Sequence, residues 1–466
     1  MIKGFISNAS GIMLSRILGL VRDILTALIL GAGIFSDLFF IAFKMPNLFR
    51  RVFAEGAFTQ SFLPNFVKSN KKAIFSAEIF LKFLFFISLL TLLVNIFTKE
   101  FIAIIATGLK DEDMINAINL VRINFFYLIL IYMASFISSL LQYKGHFATT
   151  AFSTALLNLS MICALLLANN KTEKEVALYL SCGVVIGGIL QLITHIIALY
   201  IKNLNKMFFG GIYNFIKGKK ADTKNFFINF YHGVFGSSAL QISSFMDTWL
   251  ASFLATGSIS YMFYANRIFQ LPLAVFAIAL SQALFPKIAR LLKNNDTQNA
   301  LLQTKKSFNI LFFTLLASCV GGIVLSEPII WLLFERGNFT QEDTIQCAKV
   351  LSAYLIGLLP FGLIKLFALW LYAKMKQKIA SKIATIGLVI NLILAVILMQ
   401  FLGAIGLALA SSIVGFLQLG LYLKEFGYRK FLGIIEPKFI FFTMIFLVVE
   451  FFSLEYLKEF FYANLR

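Results

Sequence analysis

Apolar runs of about 20 residues, each long enough to cross a hydrocarbon core of roughly 30 Å as a helix, recur along this chain with short polar breaks between them. They predict thirteen transmembrane helices at about residues 5–31, 36–62, 79–98, 118–142, 148–168, 176–201, 226–255, 260–286, 307–326, 345–373, 380–400, 403–423 and 437–454. A segment such as Phe83 to Phe97 is apolar on nearly every face. The period-two alternation of a β-barrel strand is absent, and helices are the spanning elements that fit.

The polar breaks alternate in sign. Those after even-numbered spans hold Lys68, Lys71 and Lys72, then Lys144, then Lys202 to Lys224, then Lys287, Arg290 and Lys293, then Lys374, Lys376 and Lys378. Those on the other side hold Asp111, Glu112 and Asp113, then Glu173 and Glu175, then Glu327, Glu335, Glu342 and Asp343. By the positive-inside rule the N-terminus is cytoplasmic. An odd number of spans then puts the tail, from about Phe451 to Arg466, in the periplasm or along the interface. The first run carries Arg16 and Arg22 and lacks a small-residue cleavage site, so it reads as a retained span rather than a signal peptide.

Two motifs recur within the chain. Asp23, Ala27, Leu30 and Gly33 return as Asp247, Ala251, Leu254 and Gly257, at an offset of 224. Thr59 to Pro64 is echoed by Ser281 to Pro286, at an offset of 222. Span 1 thus matches span 7, and span 2 matches span 8. The expected fold is an all-α polytopic membrane protein, with two parallel six-helix repeats around a central cavity. Its expected parts are a bundle over 1–201, a basic cytoplasmic linker over 202–225, a second bundle over 226–424, and an additional helix and tail over 425–466.

Composition agrees: 59% of residues are hydrophobic, 14% are charged, and the mean hydropathy is +0.86. Lys and Arg outnumber Asp and Glu by 41 to 22. In a soluble chain that excess points to nucleic acid, but here it collects in the loops on one side of the membrane. Cys163, Cys182, Cys319 and Cys347 form no CxxC pair, and His146, His195 and His232 are scattered. No zinc or redox site follows, no catalytic dyad or acidic metal cluster is present, and a membrane enzyme is the weakest reading. No organic cofactor is expected.

Charges inside the spans carry the functional signal, because each costs roughly 2.5–3.5 kcal/mol near the bilayer centre even on a permissive scale. Span 1 holds Arg16, Arg22 and Asp23, beside the small residues Gly11, Ser15 and Gly19. Span 2 holds Asp37, Lys44 and Arg51 at intervals of seven, with Asn47, Arg50 and Glu55, and Pro46 is expected to bend or break it. Asp247 lies on span 7 and Arg267 on span 8. Asp37, Arg51 and Glu55 also suit local pairing near span ends, Lys365 suits either a cavity or a snorkelling role, and Arg122 reads as interfacial. Asn158 and Asn391 read better as helix cross-links than as ligands. The embedded cations exceed the embedded acids, so the missing partner is an anion, and arginine's planar fork suits phosphate or carboxylate. On that reading an alanine at Arg22 or Arg267 leaves stability unchanged while abolishing function.

The runs Ser15 to Asp23, Gly31 to Gly33, Ser36-Asp37, Phe43 to Arg51 and Phe53 to Phe58 closely resemble the MurJ (MviN) family. Tyr264 to Arg267 and Phe334 to Thr340 extend the resemblance. It implies a lipid II flippase of the bacterial inner membrane, working by alternating access, in a superfamily that also holds drug and oligosaccharide-lipid exporters. Export of another lipid-linked oligosaccharide or of drugs is the alternative, and a drug or cation exporter should prefer an acidic cavity.

By resemblance, Arg16, Arg22, Arg50 and Arg267 bind the pyrophosphate of the lipid, and Asp23 and Glu55 are acidic members of the same site. Lys44 joins them from its place in span 2. Asp247 matches a sodium-binding acid, with Asn391 a weaker match, and either sodium or the membrane potential is the expected driving force. Membrane lipids and peptidoglycan synthases are the expected neighbours of a monomeric protein. Two departures stand out: Asn266 takes the place of an acid common in the family, and the chain stops short of a family helix that shapes a groove for the lipid tail.

Overall fold

The computed structural model of the chain describes residues 2–53 and 57–464, and among them every regular element is a helix. Glu55 lies outside the described residues. The chain divides into two compact units, Met1–Phe245 and Met246–Arg466.

In the first unit α1 spans Ile2–Leu30 and stops at Gly31, whose φ of 64° is left-handed and suits a residue without Cβ. Ser36 Oγ donates to the Gly31 carbonyl at 2.8 Å and holds the turn into α2, Ile34–Phe53. Pro46 does not break α2, which runs on to Phe53. Asn47 bonds back to the Phe43 carbonyl at 2.9 Å one turn earlier. Next come α3 (Ala57–Lys68), α4 (Lys72–Ile96), α5 (Thr98–Ile105), α6 (Asp111–Tyr143), α7 (Ala148–Leu167), α8 (Glu173–Ile201) and α9 (Asn205–Ile216). A reciprocal cap between Thr172 and Glu175 starts α8.

Small residues set the packing of α1, α7 and α8. A Cβ at Gly11 would lie 2.7 Å from Ala151, and Cβ atoms at Gly183 and Gly187 would lie 2.8 Å from Ala164 and Leu157. Such close approach is how helices associate where lipid removes the hydrophobic drive. An aromatic cluster of Phe58, Phe62, Phe83, Tyr132, Phe136 and Phe226 packs α3, α4, α6 and the start of α10 (Lys224–Ala251) together.

The basic linker is more ordered than its lysines suggest, since α9 lies against α4 with Gly211 on the Ala73 carbonyl. Buried Glu78 of α4 fixes its far end. It accepts the Ala221 backbone N–H at 3.0 Å and the Thr223 hydroxyl at 3.3 Å, and pairs with Lys82 at 2.6 Å.

The second unit takes the end of α10, then α11 (Ser258–Pro272), which begins after left-handed Gly257. A π-helical turn at Leu273–Ile278 follows Pro272, whose missing N–H disturbs the ladder there, and α12 (Ala279–Lys293) continues. The rest is α13 (Thr297–Val324), α14 (Ser326–Phe334), α15 (Gln341–Ile356), α16 (Leu358–Ala373), α17 (Gln377–Phe426), α18 (Tyr428–Ile434) and α19 (Pro437–Asn464). Within α17, Gly403 has φ 56° and ψ −132°, a conformation open to glycine, and divides it where two separate spans were predicted.

Among the described residues ten helices are long and apolar enough to cross a membrane. The predicted spans outside that set, at 5–31, 36–62 and 226–255, are largely helical where described and hold the embedded charges Arg16, Arg22, Asp23, Lys44 and Asp247. The last helix reaches Asn464, ten residues beyond the predicted end at 454.

Candidate functional site

The charges of the first unit gather around Arg22. Its side chain is 6% exposed and that of Asp23 is 1% exposed, and the guanidinium Nε and Nη2 reach the same carboxylate oxygen at 3.0 and 2.5 Å. Adjacent helical residues point in different directions, so the arginine must fold back along α1 to make this pair. Its Nη1 donates to Asn158 Oδ1 on α7 at 2.9 Å and lies 3.8 Å from Met161 Sδ. Asn158 in turn donates from Nδ2 to the Ser15 carbonyl at 2.9 Å, so α1 and α7 are stitched twice at one level. The Arg22 guanidinium carbon also sits 6.0 Å from the Phe43 ring centroid on α2.

Arg22, expected at the headgroup site, thus lies against partners of its own bundle. Its fork contacts a carboxylate and an amide of its own bundle, so removing it takes a guanidinium from buried Asp23 and a donor from Asn158. Asn158 is the helix cross-link that its sequence position indicated. What the sequence did not show is that Asn158 accepts from Arg22, a partner 136 positions away.

Arg16 stands differently. It is exposed on α1. Along α2, Asp37 is buried, Lys44 and Arg50 are half-buried, and Arg51 is exposed, so the seven-residue series runs outward toward the helix end. Arg16, Lys44 and Arg50 are therefore cations with surface to offer, and Arg22 with Asp23 is a fixed pair.

In the second unit Arg267 is half-buried on α11, its guanidinium carbon 5.8 Å from the Phe263 ring. Asp247 and Asn391, far apart in sequence, are brought together: Asn391 Nδ2 lies 3.5 Å from Asp247 Oδ1, at the edge of a hydrogen bond. Ser411 Oγ donates to Asn391 Oδ1 at 3.4 Å. Carboxylate, amide and hydroxyl oxygens form a hard donor set of the kind that suits an alkali or alkaline-earth cation. Turning the Asn391 amide over would aim its oxygen at the same point as Asp247. Among the described residues no group of three or more His, Cys, Asp or Glu side chains could hold a metal ion.

The fold is that of a multi-helix transporter. Over 91% of its length the chain is similar, with a TM-score of 0.71 at 13% identity, to 98% of a solved structure described as an inward-facing multidrug resistance MATE family transporter of the MOP superfamily. A structure described as lipid II flippase MurJ in an inward closed conformation is more similar, with a TM-score of 0.79 at 27% identity, covering 99% of this chain and 100% of that one. The profile of the family described as lipid II flippase MurJ matches residues 26–457.

A probable lipid II flippase MurJ of Helicobacter pylori is 48% identical over 419 residues, 88% of this chain and 91% of the relative. One of Buchnera aphidicola is 33% identical over 467 aligned residues, 96% of this chain and 88% of the relative. The chain belongs to the MurJ lipid II flippase family, a family of transporters.

Proposed function

We propose that this protein moves lipid II, the undecaprenyl-pyrophosphate-linked peptidoglycan precursor, from the cytoplasmic to the periplasmic leaflet of the bacterial inner membrane by alternating access. The observation that carries the reading is the family match across nearly the whole chain. The embedded arginines agree with it, since a pyrophosphate is an anion that their planar forks suit.

Arg16, Lys44, Arg50 and Arg267 are the headgroup cations in this reading, and Glu55 keeps its role from the sequence motif. Arg22 and Asp23 hold α1 against α7 and engage the substrate when α1 moves. Asp247 and Asn391 bind a sodium ion that couples to turnover and neutralises the embedded carboxylate. The membrane potential is the other source of drive.

The same reading has thirteen spans, a cytoplasmic N-terminus, and two six-helix repeats over 1–201 and 226–424 joined by the basic linker. The offsets of 224 and 222 between the two motifs support the repeat. The protein works as a monomer near the peptidoglycan synthases. Growth of a strain depleted of its native flippase tests the function: expression of this chain restores wall synthesis. Absence of rescue by a chain that is present in the membrane overturns it.

A further inference from the structure

A groove of about 620 Å³ opens on the first unit between α1, α7 and α8, away from the charges discussed above. Its walls are mostly apolar, with Leu18, Phe152, Leu156, Leu159 and Ile197 along its length and the small hydroxyls of Ser153 and Thr194 among them, and its ionisable groups, His146 and Lys202, stand together at one end beside Thr149. Leu159 and Ile201 are 46% and 68% exposed, so the groove faces outward rather than into the bundle. Along α7 it runs from Thr149 to Leu159, roughly 15 Å at 1.5 Å per residue, which is half of a hydrocarbon core of roughly 30 Å. That length matches one leaflet, and Lys202 stands at the polar end, just past the last turn of α8. Leu14 and Leu18 each lie about 200° around α1 from Arg16, so the groove is on the opposite side of that helix from the candidate headgroup cation.

We propose that this groove is a binding site for an anionic phospholipid of the surrounding bilayer, its phosphate at Lys202 and His146 and one acyl chain lying along α7 to the midplane. His146 Nε2 bonds Thr149 Oγ1 at 2.8 Å, which fixes the imidazole at the mouth. Burial and the neighbouring Lys202 hold the His146 pKa below its ordinary value, leaving Lys202 as the permanent charge. A one-leaflet depth suits a fatty acyl chain and not the much longer undecaprenyl chain of lipid II. The site is independent of the transport reading, since it requires only that the bundle sit in a membrane.

The test is lipid retention by native mass spectrometry. The detergent-purified full chain is titrated with phosphatidylglycerol or phosphatidylcholine, alongside Lys202→Glu and Leu159→Trp, both at exposed positions that leave the fold intact. The wild type should retain one phosphatidylglycerol in preference to phosphatidylcholine. Lys202→Glu should weaken that preference at least about fivefold, the equivalent of about 1 kcal/mol for a cation near the headgroups. Leu159→Trp should reduce retention of both lipids. Equal retention of the two lipids by the wild type, or an unaltered preference in Lys202→Glu, overturns the proposal. So does displacement of the phosphatidylglycerol by equimolar lipid II, which would assign the groove to the substrate.

Discussion

Replacing Arg22 by alanine leaves the Asp23 carboxylate at 1% exposure with its guanidinium partner gone, and leaves Asn158 Oδ1 without the donor it accepts. Breaking one half of a buried pair is worth about 3–5 kcal/mol, because the surviving buried charge loses its guanidinium contact in a site that water does not reach. A double variant, Arg22→Ala with Asp23→Asn, removes the buried charge as well and should recover most of that loss. Equilibrium unfolding in lipid–detergent micelles, followed by helical circular dichroism, gives all four corners of the cycle. Wild-type stability in Arg22→Ala, or a double variant as unstable as the single one, would refute the reasoning and return Arg22 to the substrate as its primary partner.

Other outcomes follow from the same geometry. Arg16→Ala, at an exposed position, should insert and unfold like the wild type yet fail to support growth on flippase depletion, with Arg16→Lys rescuing in part because a point charge replaces a fork. Asp247→Asn should remove any sodium dependence of lipid II binding, as measured by titration with and without sodium; an unchanged sodium response takes Asp247 out of the coupling.

In a background with the four native cysteines replaced, cysteines at Lys219 and Lys374 should be labelled only from the cytoplasm and one at Asp111 only from the periplasm. Glu436 accepts from Lys305 at 2.7 Å and Asn309 at 3.2 Å, and the Lys305 contact holds its pKa below the ordinary value. That contact's stabilisation is complete above about pH 4.5, the ordinary carboxylate range, and is lost as pH falls through the lowered value. Hydrogen exchange near α18 should therefore rise in acid and stay flat in Glu436→Gln.

Most of the helices were legible because an apolar run of spanning length has few other solutions in lipid, and Gly403 was legible as a break because polar and small residues interrupt the run there. The linker was not. Its lysines dominate residues 202–224, and the short amphipathic run of α9 was lost among them, although Phe208 and Gly211 face α4 and are buried. Of the two outcomes expected at Pro46, a bend or a break, the break does not occur, and it is Pro272 that precedes a π turn.

At the site, sequence spacing found the embedded charges but not their partners. Arg22 and Asp23 are neighbours in the chain, and helical geometry places neighbours on separate stripes, which hid their pairing. Asn158 reaches Arg22 across 136 positions, and no periodic pattern carries that information. The pairing of Asp247 with Asn391 was indicated only by resemblance.

The most direct measurement is transport itself: proteoliposomes holding the purified chain and labelled lipid II, with the fraction of label accessible from outside followed over time. The account predicts movement well above that in protein-free vesicles. It also predicts that folded Arg16→Ala and Arg267→Ala lower the rate at least about tenfold, about what one lost charge-assisted hydrogen bond is worth. No movement above protein-free vesicles, or an undiminished rate in both variants, would contradict it.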